Sequence, residues 1–121
     1  MDKNLERGIE LIRAVENSAA IPYLQKALKK DPQNPEIFRH LGLAYFNLGN
    51  YIKALDNWKK AIEIDPTHHQ THWNLGQLYE IEKRYTDAYE SYTQAGIAAE
   101  EASDQVKAMR YREWANRAKK L

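Results

Sequence analysis

One hundred and twenty-one residues suit a single domain, long enough for a modest core and too short for most multi-layer enzymes. Lys and Arg number 18 against 17 Asp and Glu, a net +1, which speaks against a DNA-coating protein; 43% hydrophobic and 29% charged residues argue against a disordered tail and a membrane span. The absence of cysteine excludes a disulfide framework, a thiolate zinc site and a cysteine nucleophile.

The opening stretch MDKNLERGIE lacks the apolar run of a secretion signal, so a cytoplasmic location is the default expectation for a complete chain. Five glycines and four prolines punctuate a sequence rich in Ala, Leu, Glu, Lys and Gln, with valine only at Val15 and Val106. Such a composition favours helices and gives strands little to use. A helix is predicted over 18–30, with Pro22 near its first turn, where proline costs least, and Asp31-Pro32 at its end. Phe38, Leu41, Gly42 and Tyr45 fall at i, i+3, i+4 and i+7, which predicts a helix over 35–48 capped by Asn34. Gly49-Asn50 then turns the chain into a helix over 51–64, where Ala54, Trp58 and Ala61 share a face and Asp65-Pro66 is the stop. A further pair begins at His69 and carries Ala99-Glu100 where the closing Asp-Pro would stand. A lone helix follows at about 104–120, with Asp104 as N-cap and Ala108, Tyr111, Ala115 and Ala118 as its apolar stripe.

A shift of 34 residues lays the chain on itself. Gly8, Gly42 and Gly76 coincide, as do Ala20, Ala54 and Ala88; Leu24, Trp58 and Tyr92; and Ala27, Ala61 and Ala95. The period and these residues resemble the tetratricopeptide repeat family. The second repeat is the fullest match, with Phe38, Leu41-Gly42, Tyr45, Ala54, Trp58, Ala61 and Pro66 in place. The third carries His72 at a large-apolar position, with Trp73 beside it. The first has Asn4 and Arg7 where apolar residues are expected. The resemblance implies an all-α fold, a right-handed α-solenoid of three antiparallel helical hairpins with a C-terminal capping helix. One domain, 1–121, would comprise repeats at about 1–34, 35–68 and 69–102 and a cap at about 104–120. Small residues at the glycine and alanine positions would let paired helices approach closely while Tyr45, Trp58, Tyr79 and Tyr92 fill the flanks. The final helix would cover the apolar face that a terminal hairpin leaves bare.

The family resemblance also implies that ligands lie in a concave groove lined by the first helix of each hairpin. One step round from the packing stripe stand Leu5, Ile9, Ile12 and Arg13; then Glu36, Arg39, Leu43, Phe46 and Asn47; then Gln70, Trp73, Gln77, Glu80 and Ile81. The candidate partner-binding set is Leu5, Ile9, Ile12, Arg39, Leu43, Phe46, Asn47, Trp73, Gln77 and Glu80. Its apolar members would form a track left over from hairpin packing, and such patches mark interaction sites. Trp73 and Arg39 are residue types common among binding hot spots. The competing place for each apolar member is the core, most evenly balanced for Leu5, Ile9 and Ile12.

Other chemistries find less support. Adaptors of this fold that grip chaperone C-termini use a Lys/Asn/Arg clamp, yet the matching positions hold Leu5, Ile9, His40, Gln70 and Asn74, none a fixed cation. His68, His69 and His72 straddle a predicted helix start without a carboxylate among them, so no metal site is expected, and no cofactor. No phosphate-binding glycine loop, nucleophile elbow or isolated acid pair is present, and no catalytic residue is assigned. Residues 105–121 hold six bases and the one acid Glu113, a net +5, against 12 bases and 16 acids, a net −4, in 1–104. That basic face reads as a solubilising cap in preference to a surface for nucleic acid or lipid. The expected function is protein–protein interaction with a protein or peptide partner. The alternative is self-assembly into a homo-oligomer through the first repeat or the cap.

Overall fold

The structure, a computed structural model, describes residues 1–121. Seven helices follow in order: α1 (Lys3–Arg13), α2 (Asn17–Lys30), α3 (Pro35–Asn47), α4 (Tyr51–Ile64), α5 (His69–Ile81), α6 (Tyr85–Glu101) and α7 (Gln105–Lys119). The chain divides into two compact units, Met1–Ile64 and Asp65–Leu121. In the first, α1 pairs with α2 and α3 with α4, and α3 also packs on α2. In the second, α5 pairs with α6 and α6 with α7.

Capping chemistry sets several helix starts. Asp2 Oδ1 accepts from the Asn4 and Leu5 amides at 2.8 and 3.1 Å. Asn34 accepts from Glu36 at 3.0 Å, Asn50 from Lys53 at 3.3 Å and Asp104 from Lys107 at 3.0 Å. Each satisfies an amide with no intrahelical partner. Helix α2 begins at Asn17, so Pro22 stands in its second turn and not its first, and takes a backbone donor from the helix on its exposed side.

The glycine positions explain the hairpin spacing. A Cβ on Gly42 would lie under 3.0 Å from the Trp58 indole, one on Gly76 under 3.0 Å from the Tyr92 ring, and one on Gly8 2.6 Å from Leu24 Cδ2. Trp58 is only 1% exposed, and its Nε1–H donates to the Arg39 carbonyl at 3.1 Å. The large residue lies 16 positions after each glycine, with buried alanines at 12 and 19. That same spacing occurs once more, from Gly96 to Ala108, Arg112 and Ala115. The fourth instance starts 20 residues after Gly76, not 34, so it overlaps the third. Helix α6 thus serves as the second helix of one hairpin and the first of another, which explains its 17 residues against 14 in α2 and α4.

The turns repeat with the helices. Val15, Gly49, Lys83 and Ser103 all have positive φ, between 60° and 78°. In each case the next amide reaches back five residues: Glu16 to Leu11, Asn50 to Tyr45, Arg84 to Tyr79 and Asp104 to Ala99. This is the left-handed helix termination that glycine favours, yet only one of the four residues is glycine. The α6–α7 connection is therefore of the within-hairpin kind, and no Asp-Pro is needed there.

Candidate functional site

The candidate residues fall into two groups, one in each unit. In the first unit, Leu5 and Ile12 are 2% and 9% exposed and belong to the core with Leu11, Ala20, Leu24, Ile37 and Leu41. Hairpin packing takes both out of the expected apolar track. The reason lies in repeat one itself: with Asn4 and Arg7 polar, α1 turns Leu5, Gly8, Leu11 and Ile12 inward. Ile9 and Leu43 are half-buried against that same core and keep part of their surface. Ile9 lines a cleft of about 390 Å³ between α1 and α3, together with Met1, Glu6, Glu10, Arg13, Glu36 and His40. His40 Nδ1–H donates to the Glu36 carbonyl at 2.8 Å.

Farther along α3, Phe46 stands edge-on to Tyr51 and Trp58, with ring centroids 5.4 and 5.5 Å apart. The hairpin thus uses much of Phe46, which remains half-buried. Asn47 Nδ2–H donates to Oδ1 of the buried Asn17 at 3.0 Å, tying the end of α3 to the start of α2. Arg39 is half-buried one turn before Leu43.

In the second unit, Trp73 packs against the core of Ala95, Ala99, Ala108 and Tyr111. It also meets Trp114 of α7 edge-on at 6.1 Å. Trp114 lies 5.8 Å from the Tyr92 ring and carries the Arg117 guanidinium 4.2 Å above its own. Arg117 Nη2 donates to both Glu80 oxygens at 2.8 and 2.7 Å. Tyr92 is fully buried, and its hydroxyl lies beside Gln77 and Glu80 without a hydrogen bond of normal geometry to either. Burial, with the Glu80 charge beside it, holds that phenol well above the usual tyrosine value. Three of the ten candidates, Trp73, Gln77 and Glu80, thus gather around a surface that α7 completes.

The histidines have structural partners. His68 Nδ1 contacts Thr71 Oγ1, and His69 Nδ1 contacts the Tyr111 hydroxyl, each at 2.8 Å. The 7%-exposed His72 donates from Nε2 to the Pro66 carbonyl at 2.8 Å. That bond lets a polar ring sit where the repeat pattern calls for a large apolar one. Gln70 donates to Asn74 at 3.2 Å, so two of the five positions matching a carboxylate clamp bond each other. The cap's cations are partly engaged as well. Arg112 pairs with Glu100, Arg117 with Glu80, and Lys119 lies 5.9 Å above the Tyr89 ring.

What the sequence did not announce is the pairing of Asn17, Tyr111, Trp114 and Arg117, although Tyr111 stands in the expected apolar stripe of the cap. Their partners are 30, 42, 41 and 37 positions away, and no local spacing announces such pairs.

Glycine-spaced hairpins, each closed by the same left-handed turn, define an all-α helical-repeat protein. The chain matches the description "TPR repeat" over residues 16–49 and 42–80, and "Tetratricopeptide repeat" over 69–95. It belongs to the tetratricopeptide repeat family. It is similar to Superkiller complex protein 3 of Mus musculus, 33% identical over 88 residues, which is 73% of this chain and 6% of that protein. The Hsp70-Hsp90 organizing protein of Triticum aestivum is 28% identical over 96 residues, 79% of this chain and 16% of that one. Among solved structures, the Sgt2 TPR domain from Aspergillus fumigatus superposes with a TM-score of 0.82 at 27% identity, covering 96% of this chain and 76% of that one. The chain therefore spans a small part of these two relatives' length. No helix is long and apolar enough to cross a membrane.

Proposed function

We propose that the chain is a non-catalytic protein–protein interaction scaffold that binds a peptide or helix along the first helices of its hairpins. The observation that carries this reading is the α1–α3 cleft, where Ile9 keeps apolar surface among Glu6, Glu10, Arg13 and Glu36. An apolar side chain flanked by charges suits an anchor residue with a polar rim. The relatives' names point the same way, one belonging to a complex and another called an organizing protein. The reading takes residues 1–121 as one working domain. Partners that present only a C-terminal carboxylate are not favoured, because Leu5 is buried and Gln70 and Asn74 bond each other. The test is selection of binders from a random peptide library, followed by amide exchange on the complex. Protection concentrated in α1 and α3 supports the proposal, and protection confined to α4 or α6 contradicts it.

A second reading is self-association through α7, where Val106 and Met109 are 67% and 64% exposed one turn apart. Light scattering across a dilution series separates the two. A mass fixed at 14.1 kDa removes the stable homo-oligomer, and a larger mass abolished by Met109→Lys supports it.

A further inference from the structure

We propose that the α5–α7 face of the second unit is a guanidinium-binding site, presently filled by the chain's own Arg117, and that it accepts an arginine side chain of a partner peptide. This rests on the scaffold reading above and names the partner chemistry of its second group of residues.

The site is built for a planar cation. Trp114 offers an aromatic face, and Arg117 already stacks on it at 4.2 Å. The Glu80 side chain is only 18% exposed, against 52% for Arg117. A carboxylate shielded to that degree needs a cation to offset its lost hydration. Stacking and carboxylate pairing are what distinguish guanidinium from ammonium recognition. The fully buried Tyr92 hydroxyl, lacking a normal hydrogen bond, leaves a polar atom beside Glu80 with capacity to spare.

Arg117 fills this site incompletely. One nitrogen, Nη2, bridges both Glu80 oxygens, whereas the strongest guanidinium–carboxylate pairing uses two nitrogens in parallel. Arg117 also lies in the last turn of α7, which ends at Lys119, where helices fray most readily. A guanidinium free of that tether can adopt the two-nitrogen geometry while the buried stripe of Ala108, Tyr111 and Ala115 keeps α7 in place.

The test titrates N-acetyl-L-arginine amide into the full chain and into Arg117→Ala and Arg117→Gln, read by the indole resonances of Trp73 and Trp114. Self-occupancy lowers apparent affinity by the fraction of time the site stands open, so both variants should bind about tenfold more tightly than the unaltered chain. Adding Glu80→Gln should abolish that gain, and N-acetyl-L-lysine amide should bind more weakly throughout. Near-UV circular dichroism confirms that α7 stays packed. Should either substitution loosen α7, the unaltered chain decides: arginine amide must shift the Arg117 Nε–H resonance, and absence of a shift overturns the proposal. Equal binding with and without Glu80, or no binding by packed variants, overturns it too. Those failures leave the α1–α3 cleft untouched, since its residues lie wholly in the first unit. Conversely, loss of peptide binding at the cleft would not alter the arginine titration.

Discussion

The α3–α4 crossing and the α6–α7 crossing share one spacing and differ in how tightly it is used. At the first, Gly42 faces a rigid, buried indole with no room for a methyl group. At the second, a Cβ on Gly96 would meet Arg112 Cγ at 3.4 Å and the Ala108 carbonyl oxygen at 3.6 Å, ordinary contacts. The arginine is half exposed and bends away to pair with Glu100. Close helix approach is therefore a property of what stands opposite the glycine as much as of the glycine. The repeat register can persist where the packing that usually requires it has relaxed.

The largest expected effect breaks the tight crossing. Gly42→Ala should lose about 1–2 kcal/mol net, overpacking against Trp58 outweighing the helix-propensity gain, as read by urea denaturation. Next comes removal of the α7 cap: Asp104→Ala should cost about 1 kcal/mol, seen as faster amide exchange at Lys107 and Ala108. At the relaxed crossing the sign reverses, and Gly96→Ala should raise stability by about 0.5–1 kcal/mol. An equal loss at both glycines would show that the two crossings do not differ. The turns supply a finer comparison, because Gly49 and Ser103 occupy the same left-handed position at φ 78° and 62°. Ser103→Gly should stabilise by up to about 1 kcal/mol, with the effect confined to the α6–α7 turn.

The units also differ toward alkaline pH. Burial raises the phenols of Tyr79, Tyr92 and Tyr111, all in the second unit. A group whose folded value lies above its unfolded value of 10.0 contributes fully below that pH and loses its contribution as pH rises through the folded value. Stability of the second unit should therefore hold up to pH 10 and fall above it. Tyrosine absorbance and helicity followed together would show this.

Much of this molecule was legible in its sequence, for reasons that individual residues make plain. The 34-residue period survives in Gly42, Ala54 and Trp58 because each answers a steric demand that recurs in the first three hairpins. Helix α4 spans Tyr51–Ile64 as its capping and stop signals imply, and α3 ends one residue earlier than read, at Asn47. The fourth use of the spacing was hidden because it overlaps the third and places Arg112 where an aromatic normally stands. The candidate site was less legible. Leu5 and Ile12 occupy groove positions of the pattern but turn inward, because α1 lacks apolar residues at Asn4 and Arg7 and takes its core contacts from the neighbouring positions. Trp73 and Glu80 were placed on the correct helix, yet their partners on α7 depend on a tertiary approach that no periodicity encodes.

The most direct test of the central claim measures affinity for a peptide selected against the chain. It compares Ile9→Glu in the cleft and Leu43→Glu, about one turn beyond His40 on α3, with Ile52→Glu, whose side chain is 81% exposed on α4, the second helix of its hairpin. Losing one buried apolar anchor, about 1.5–3 kcal/mol, weakens binding by about tenfold or more. That loss is expected for Ile9→Glu and Leu43→Glu, with unchanged affinity for Ile52→Glu. Unchanged binding in the first two, or an equal loss in all three, would contradict it.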